Sequence, residues 1–375
     1  LDDAIAKFKK MHPEVEIKYE SGILKKDYSE WLSGKFLIGS EPDVFLLAPE
    51  DFNLFASKKA LLNLNVLIDK DKSFKKENYY KSAFDFGKYE EIQYALPYEC
   101  MPTLICANKT LLKEFGIEFP SSNWSWADFH EICRRVSKDS DKDGETDRFG
   151  VCGYTWRDAA YSNGVMLFDD KGTKNYVNAR GVVNAVNFVY AIYSLSDGHE
   201  VSEKDFGLGK VAFRPMKYSE YKTYKAYPWR LKKYANFEWD CTTMPAGPDG
   251  SNACELDALL MGVSSRTRHK ELAWDFLKSM TYDSEIQAEI FEYSEGVSPL
   301  KSVTGSYKSN YEMISANLLN KAMEQAVAPR RFAKYEEALE MLDDGVQNAI
   351  NSQKNIQAAL SSLHQKVNNY LMSAE

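Results

Sequence analysis

Helical and strand periods alternate from the very start of this chain, and that rhythm narrows the fold more than any other feature. Ala4, Ile5, Phe8 and Met11 recur at helical spacing until Pro13 stops the helix. Val15-Glu16-Ile17-Lys18-Tyr19 then alternates apolar and polar residues, as a half-buried strand does. Asp27 can cap a helix running to about Gly39, with Trp31, Leu32 and Phe36 on one side. Pro42-Asp43-Val44-Phe45-Leu46-Leu47 follows as a short apolar run suited to a strand buried on both faces. Helix, strand, helix, buried strand predicts an α/β layer with parallel strands.

The rhythm continues. Thr103-Leu104-Ile105-Cys106 reads as a strand, followed by a helix from about Asn108 that ends at Gly116. Ser125-Trp126-Ala127-Asp128 has the form of a capping box opening a helix whose inner face is Phe129, Ile132, Cys133 and Val136. Val182 to Leu195 is a further helix with Asn178 as its expected cap, and Val211-Ala212-Phe213 and Ala258-Leu259-Leu260-Met261 read as strands. From about Ser309 to Glu375 polar helical stretches rich in Ala, Gln, Asn and Ser take over, which suits a helical tail packed on a preformed lobe. No period of 20–50 residues repeats and no low-complexity linker divides the chain. A length of 375 residues points to two lobes. Without a linker, those lobes are expected to be joined by several crossings.

A net charge of −8, with lysines interleaved among acids, excludes the clustered basic face that nucleic acid requires. No run of eighteen apolar residues is present to span a membrane. If the protein is exported, its leader precedes Leu1. Cys100, Cys106, Cys133, Cys152, Cys241 and Cys254 are scattered with no C-x-x-C pair, so zinc ligation has no support; disulfides and buried thiols both remain open.

Asp139-Ser140-Asp141-Lys142-Asp143-Gly144-Glu145-Thr146-Asp147 matches the first nine positions of a calcium loop. A hard cation needs six or more oxygens converging from one tight turn, and Asp139, Asp141, Asp143, Glu145 and Asp147 are the candidate ligands. The twelfth position, where a bidentate Glu normally closes the shell, is Gly150. A solvated turn held by Asx hydrogen bonds explains the same residues, so structural calcium is one of two readings and no other cofactor is required.

Several aromatics sit beside turn residues instead of at core spacing: Tyr98 after Pro97, Trp156 after Gly153-Tyr154-Thr155, Trp229 in Tyr227-Pro228-Trp229, and Tyr293 before Ser294-Glu295-Gly296. A sugar presents a weakly polar C–H face and a rim of hydroxyls, which an aromatic ring flanked by acids and amides accommodates. Core packing is the bland reading of any one of them. Enzyme signatures are absent: the five histidines lack metal spacing, no G-x-S-x-G or Walker glycine pattern occurs, and Asp205-Phe206-Gly207 has no kinase partners. A carboxylate pair for glycoside hydrolysis needs no fixed spacing, so a carbohydrate-active enzyme stays as the rival.

Read in order, these segments resemble the family 1 extracellular solute-binding proteins of bacterial ABC importers, the maltodextrin-binding-like carbohydrate group. Phe8-Lys9-Lys10-Met11-His12-Pro13-Glu14-Val15-Glu16-Ile17 is similar to the family's entry segment, Pro42-Asp43-Val44 to its "P-D-V" strand, and Ala60-Leu61-Leu62-Asn63-Leu64 to its "G-x-L-x-x-L". Ala107-Asn108-Lys109-Thr110-Leu111-Leu112 resembles "Y-N-K-D-L-F", and Trp124-Ser125-Trp126-Ala127-Asp128-Phe129 resembles "P-x-T-W-x-E-F". Pro245-Ala246-Gly247-Pro248-Asp249-Gly250 and Ala273-Trp274-Asp275-Phe276-Leu277-Lys278 complete the series. Each fragment is weak alone; their shared order is specific.

The resemblance implies a periplasmic-binding-protein-like fold: two α/β lobes joined by a multi-crossover hinge, a ligand cleft between them, and a helical C-terminal tail. One lobe would hold residues 1–107 and 255–305, the other 108–254 and 306–375. It implies a receptor, not an enzyme, that captures a sugar or short oligosaccharide and delivers it to an ABC permease, with a non-sugar solute or a sensor role as variants. Such proteins are extracytoplasmic, as a cell-surface lipoprotein or periplasmic, and a monomer is expected. The binding candidates carried over are Glu50, Tyr98 and Glu99, Trp156 and Arg157, Trp229, and Tyr293 and Glu295. Asp257, standing where many members carry a glycine pair, projects a carboxylate or merely turns the chain. The family usually begins with a short strand before the first helix, and this sequence starts inside that helix.

Overall fold

The structure, a computed structural model, describes residues 2–226, 236–307, 314–352 and 355–373. Its strands are β1 (Val44–Leu47), β2 (Lys88–Tyr89), β3 (Ile92–Gln93), β4 (Ala95–Asn108), β5 (Phe149–Val151), β6 (Val211–Lys217), β7 (Trp239–Thr242) and β8 (Leu256–Val263). The chain divides into two compact units: Leu1–Cys100, Asp257–Tyr307 and Arg331–Ala333 form the first, and Met101–Leu256, Lys308–Arg330 and Lys334–Glu375 the second. The sequence reading placed the first two crossings at 107/108 and 254/255. In the structure they fall at 100/101 and 256/257, inside β4 and β8, where no change of composition marks them.

In the first unit β8 lies between β1 and β4. β1 runs antiparallel to β8, with Val44 opposite Val263 and Leu47 opposite Leu260. Sequence alternation led us to expect parallel strands throughout. Here β8 arrives after the chain has built most of the other unit, so no short right-handed crossover dictates its direction. The helix Asp2–Met11 buries Ala4, Ile5 and Phe8. Phe8 meets Phe276 edge-on at 5.1 Å, on the helix Lys270–Tyr282. The expected strand Val15–Tyr19 has no regular secondary structure: among the described residues it pairs with no strand, so its alternation finds no ladder. Asp27 does stand at the N-cap of the helix Tyr28–Ile38, without a side-chain capping bond.

In the second unit β6 and β7 both pair antiparallel with the later half of β4, and β5 pairs parallel with β6. The sheet is therefore mixed. The helix Trp126–Val136 starts at the expected capping box, Ser125 and Asp128 each bonding the other's backbone N–H, and it buries Phe129, Cys133 and Val136. The helix Arg180–Tyr193 buries a stripe from Val182 to Ile192, but its N-cap is Ala179 and not Asn178. There the Ala179 N–H turns back to the Tyr176 carbonyl, one residue later than expected. Helices Ala316–Gln325, Tyr335–Asn351 and Ile356–Met372 form the tail. Gly345 lets the last two approach closely, since a Cβ there would lie 2.4 Å from Leu363 Cδ1. Among the described residues no helix is long and apolar enough to cross a membrane.

Candidate functional site

In the first unit Glu50 and Asp257 lie near strand ends, whereas Tyr98 and Glu99, expected in a loop after residues 94–97, lie inside β4. Tyr293 and Glu295 stand at and after the C-terminus of the helix Ser284–Tyr293. Glu50 comes three residues after Leu47 and Asp257 three before Leu260, so antiparallel pairing puts both off the same end of the β1–β8 ladder. Glu50 is exposed, in the first turn of the helix Pro49–Ser57, where a carboxylate favours the positive end of the helix dipole. Its neighbour Asp51 is half-buried and accepts a 2.6 Å hydrogen bond from Ser29 Oγ. Burial raises the Asp51 pKa more than Ser29 lowers it. Tyr28 donates 3.0 Å to the Leu46 carbonyl, and burial pushes its phenol up to about 12. Trp31 lies 5.4 Å from Tyr28, ring to ring, with the Lys35 ammonium 5.5 Å from its own centroid. The sequence marks Trp31 only as part of a helix face and gives no site signal for Tyr28 or Asp51, although Asp51 adjoins Glu50 just after β1.

Tyr98, Glu99, Tyr293 and Glu295 are brought together by backbone pairing. Cys100 and Val297 exchange hydrogen bonds of 2.8 and 2.7 Å, which sets the turn 293–296 against β4. Glu99 Oε2 accepts 3.0 Å from the Gly296 N–H, and the close approach demands glycine, since a Cβ there would sit 2.8 Å from Glu99 Cβ. The Tyr98 carbonyl accepts from Gln287, and burial, then the Glu99 charge, push the Tyr98 phenol up to about 12. Tyr293 is 80% exposed and Glu295 is exposed as well. Asp257 accepts a hydrogen bond from the Ala258 N–H, and its charge and that of Glu99 both bear on the buried Cys100 thiol, whose pKa burial chiefly raises. Within this unit the carboxylates of Glu99 and Asp257 and the rings of Tyr98 and Tyr293 are candidate hydrogen-bond acceptors and stacking faces.

In the second unit the site is a carboxylate hub. Thr155 and Asp158 form a capping box that opens the helix Trp156–Ser162 and fixes Trp156 and Arg157 in its first turn. The Trp156 ring is 5% exposed, and its Nε1 donates 2.8 Å to Asp343 Oδ1. Arg157 Nε stands 3.7 Å from the same oxygen. Burial holds the Asp343 carboxyl above the usual range despite Arg157 and Trp156. Burial works against the Arg157 charge too, and the carboxylates of Glu255 and Asp343 outweigh it. Asp343 lies 187 residues from Trp156, on the helix Tyr335–Asn351, so local sequence carries no signal for it. Trp229 lies outside the described residues.

Of the proposed metal ligands, Asp139, Asp141 and Asp143 bring carboxylate oxygens within 4.8 Å of one another. Asp139 also accepts from the N–H groups of Lys142 at 2.6 Å and Gly144 at 2.9 Å, so the loop is held by Asx turns as well. Asp147 is engaged elsewhere, accepting from Ser140 N–H and Oγ and pairing with Arg148 at 2.8 Å. Glu145 is exposed and outside the cluster. Gly150 is buried in β5, where a Cβ would lie 2.4 Å from Cys133 Cβ, so no closing side chain fits at the twelfth position. Three carboxylates suit a loosely held hard cation whose remaining ligands are carbonyls and water.

Each unit supplies carboxylate acceptors beside aromatic rings, and the second adds the Arg157 guanidinium. These groups suit holding a hydroxyl-rich solute. The chain is similar along nearly its full length to solved binding proteins. A sugar-binding protein from Xanthomonas citri is 18% identical with a TM-score of 0.81, covering 99% of this chain and 93% of that one. A cyclic alpha-maltosyl-1,6-maltose binding protein from Arthrobacter globiformis is 16% identical with a TM-score of 0.80, covering 99% and 95%. An ABC substrate-binding protein from Listeria monocytogenes, in complex with cycloalternan, is 20% identical with a TM-score of 0.72, covering 99% and 95%. At these identities the likeness establishes the two-lobed fold of that class. The family model of the bacterial extracellular solute-binding protein matches residues 1–284. The chain therefore belongs to the bacterial extracellular solute-binding proteins, binding proteins that work outside the cytoplasm.

Proposed function

We propose that this protein is the receptor of an ABC importer, capturing a sugar or short oligosaccharide unchanged and presenting it to a membrane permease. It acts as a monomer, anchored at the cell surface as a lipoprotein or free in a periplasm. Family membership carries the solute-binding part of this reading. Supporting the sugar part are the named ligands of the structural neighbours, cycloalternan among them, together with the pairing of carboxylates and aromatics in each unit. Buried hydroxyls demand hydrogen-bond partners, and Glu99, Asp257, Arg157 and Asp343 offer both acceptors and a donor. Trp229 is proposed to add a stacking face.

A thermal-shift screen across mono- and oligosaccharides, followed by calorimetry on the hits, tests the reading, because a ligand that binds only the folded state raises Tm by mass action. Micromolar or tighter binding with the sugar recovered intact is expected. Turnover of any oligosaccharide, or no binding across the panel, overturns it.

We also propose that the aspartate loop takes calcium weakly, in the range of about 10⁻⁴–10⁻³ M typical of extracellular modules. The convergence of Asp139, Asp141 and Asp143 supports this.

A further inference from the structure

We propose that Cys106 and Cys241 form a structural cross-strand disulfide in the exported protein. In β4 and β7, which run antiparallel, Cys106 stands directly opposite Cys241. Residues opposed in this way project to the same face with Cβ atoms about 4.5–5.5 Å apart. A disulfide needs a Cβ separation of roughly 3.5–4.5 Å and Cα atoms within about 7 Å, so only a slight closing of the pair is required. Burial, and after it the neighbouring Cys106 thiol, raises the Cys241 pKa well above its usual value, as adjacent buried thiols do.

The competing partner is excluded by the same ladder. Cys106 is opposite Arg214 on its other side, in β6. Cys152 follows β5, in which Val151 is opposite Phe213 of β6. Cys152 is thus two strand spacings from Cys106, about 9–10 Å, beyond the reach of a disulfide. Cys100 belongs to the other unit, and Cys133 lies on a helix.

Both sulfurs are sealed, Cys106 at 0% and Cys241 at 3% exposure, so oxidation precedes final burial and occurs while the chain folds outside the cytoplasm. The oxidant is a disulfide, either that of a dithiol–disulfide oxidoreductase or a small-molecule disulfide. The Cys106 thiolate attacks one of its sulfurs and expels the first thiolate, leaving a mixed disulfide. The Cys241 thiolate then attacks the Cys106 sulfur and expels the second. Two protein thiols lose two protons and two electrons, and the oxidant leaves as two thiols. The bond would staple β7, at the edge of this unit's ladder, and close a loop spanning most of the unit.

The experiment is a thiol count on the full chain after export to an oxidising compartment, or after refolding with a glutathione redox couple. Denaturing without reductant and alkylating should label four cysteines, with the peptides of Cys106 and Cys241 recovered as one linked species that separates on reduction. Reductant should lower Tm by roughly 5–15 °C in the parent protein. It should have no such effect in Cys106→Ala, while Cys152→Ala, a control that keeps the pair, should label three cysteines and stay reductant-sensitive. Six labels on protein folded under oxidising conditions, or a linkage through any other cysteine, overturns the proposal whether or not sugar binds.

Discussion

Each unit contains an aspartate that receives an indole N–H and faces a cation, yet the two behave in opposite ways. In the first, Asp71 accepts from Trp274 Nε1 at 3.1 Å, Lys278 Nζ at 2.6 Å, and the Ser73 N–H and hydroxyl at 2.9 and 2.6 Å. Burial works to raise its pKa, and these bonds outweigh it, leaving the carboxyl well below the usual range. In the second, among the described residues Asp343 receives Trp156 at 2.8 Å and a distant Arg157 at 3.7 Å, and burial wins. Asp71 is a finished staple. Asp343 is a half-satisfied carboxylate with room to accept more, which a hydroxyl-bearing ligand can supply. The contrast separates an acid that holds the fold from one proposed for binding, although both read alike as Asp in a polar helix or turn.

The sharpest way to break that contrast is to remove the indoles. Trp274→Ala and Trp156→Ala should each cost about 3–5 kcal/mol in denaturant unfolding, since both rings are buried. Only Trp156→Ala should also weaken sugar binding, by tenfold or more in calorimetry. Equal binding losses would erase the distinction.

Truncating the acids comes next. Asp71→Ala should lower stability by about 2–3 kcal/mol and leave affinity unchanged, because its partners are a buried indole, Lys278 and Ser73, all within the first unit. Asp343→Ala should reverse the balance, reducing affinity on the order of 10–100-fold with the smaller stability change.

Acidity sharpens the comparison further. Asp71 has a lowered folded pKa, so its contribution is present above the unfolded value of about 3.9 and is lost as pH falls from about 5. Asp343 has a raised folded pKa, so its charge opposes folding at neutral pH and that cost fades as pH falls. Asp71→Asn should therefore destabilise at pH 7, and Asp343→Asn should be neutral or stabilising. Both differences should shrink toward pH 3 in urea titrations. A destabilised Asp343→Asn at pH 7 would contradict the sign.

The smallest effect concerns the aspartate loop. Millimolar calcium should raise Tm by about 1–3 °C in the parent protein and not in Asp141→Asn. No shift in the parent would leave the loop an ordinary Asx turn.

Local chemistry was legible in the sequence wherever one segment suffices. The capping box at Ser125 and Asp128, the strand at Val44–Leu47 and the helix after Asn108 all depend on neighbours a few residues apart, and Asn108 does cap, its side chain accepting from the Leu111 N–H. The strand was expected to be buried on both faces, but only the Phe45 and Leu47 face is. The box at Thr155 and Asp158 carries the same local signature, a hydroxyl three residues ahead of an acid. What depends on distant segments was not legible. Val15–Tyr19 has a strand's alternation but, among the described residues, no strand to pair with, Asp343 reaches Trp156 from the far end of the chain, and strand directions follow from where the chain returns. The crossings at 100/101 and 256/257 lie within continuous strands, where composition says nothing.

The contact of Gly296 with Glu99 bears on how such a receptor is re-engineered. The carboxylate takes its bearing from a main-chain N–H at a residue that tolerates no side chain, so its direction is inherited from the backbone. Flanking positions are under no such restriction, since Tyr293 and Glu295 project into open space. Selection for a new sugar, or the design of a fluorescent reporter, can therefore vary 293 and 295 widely while residue 296 stays fixed as the point from which the acid is aimed.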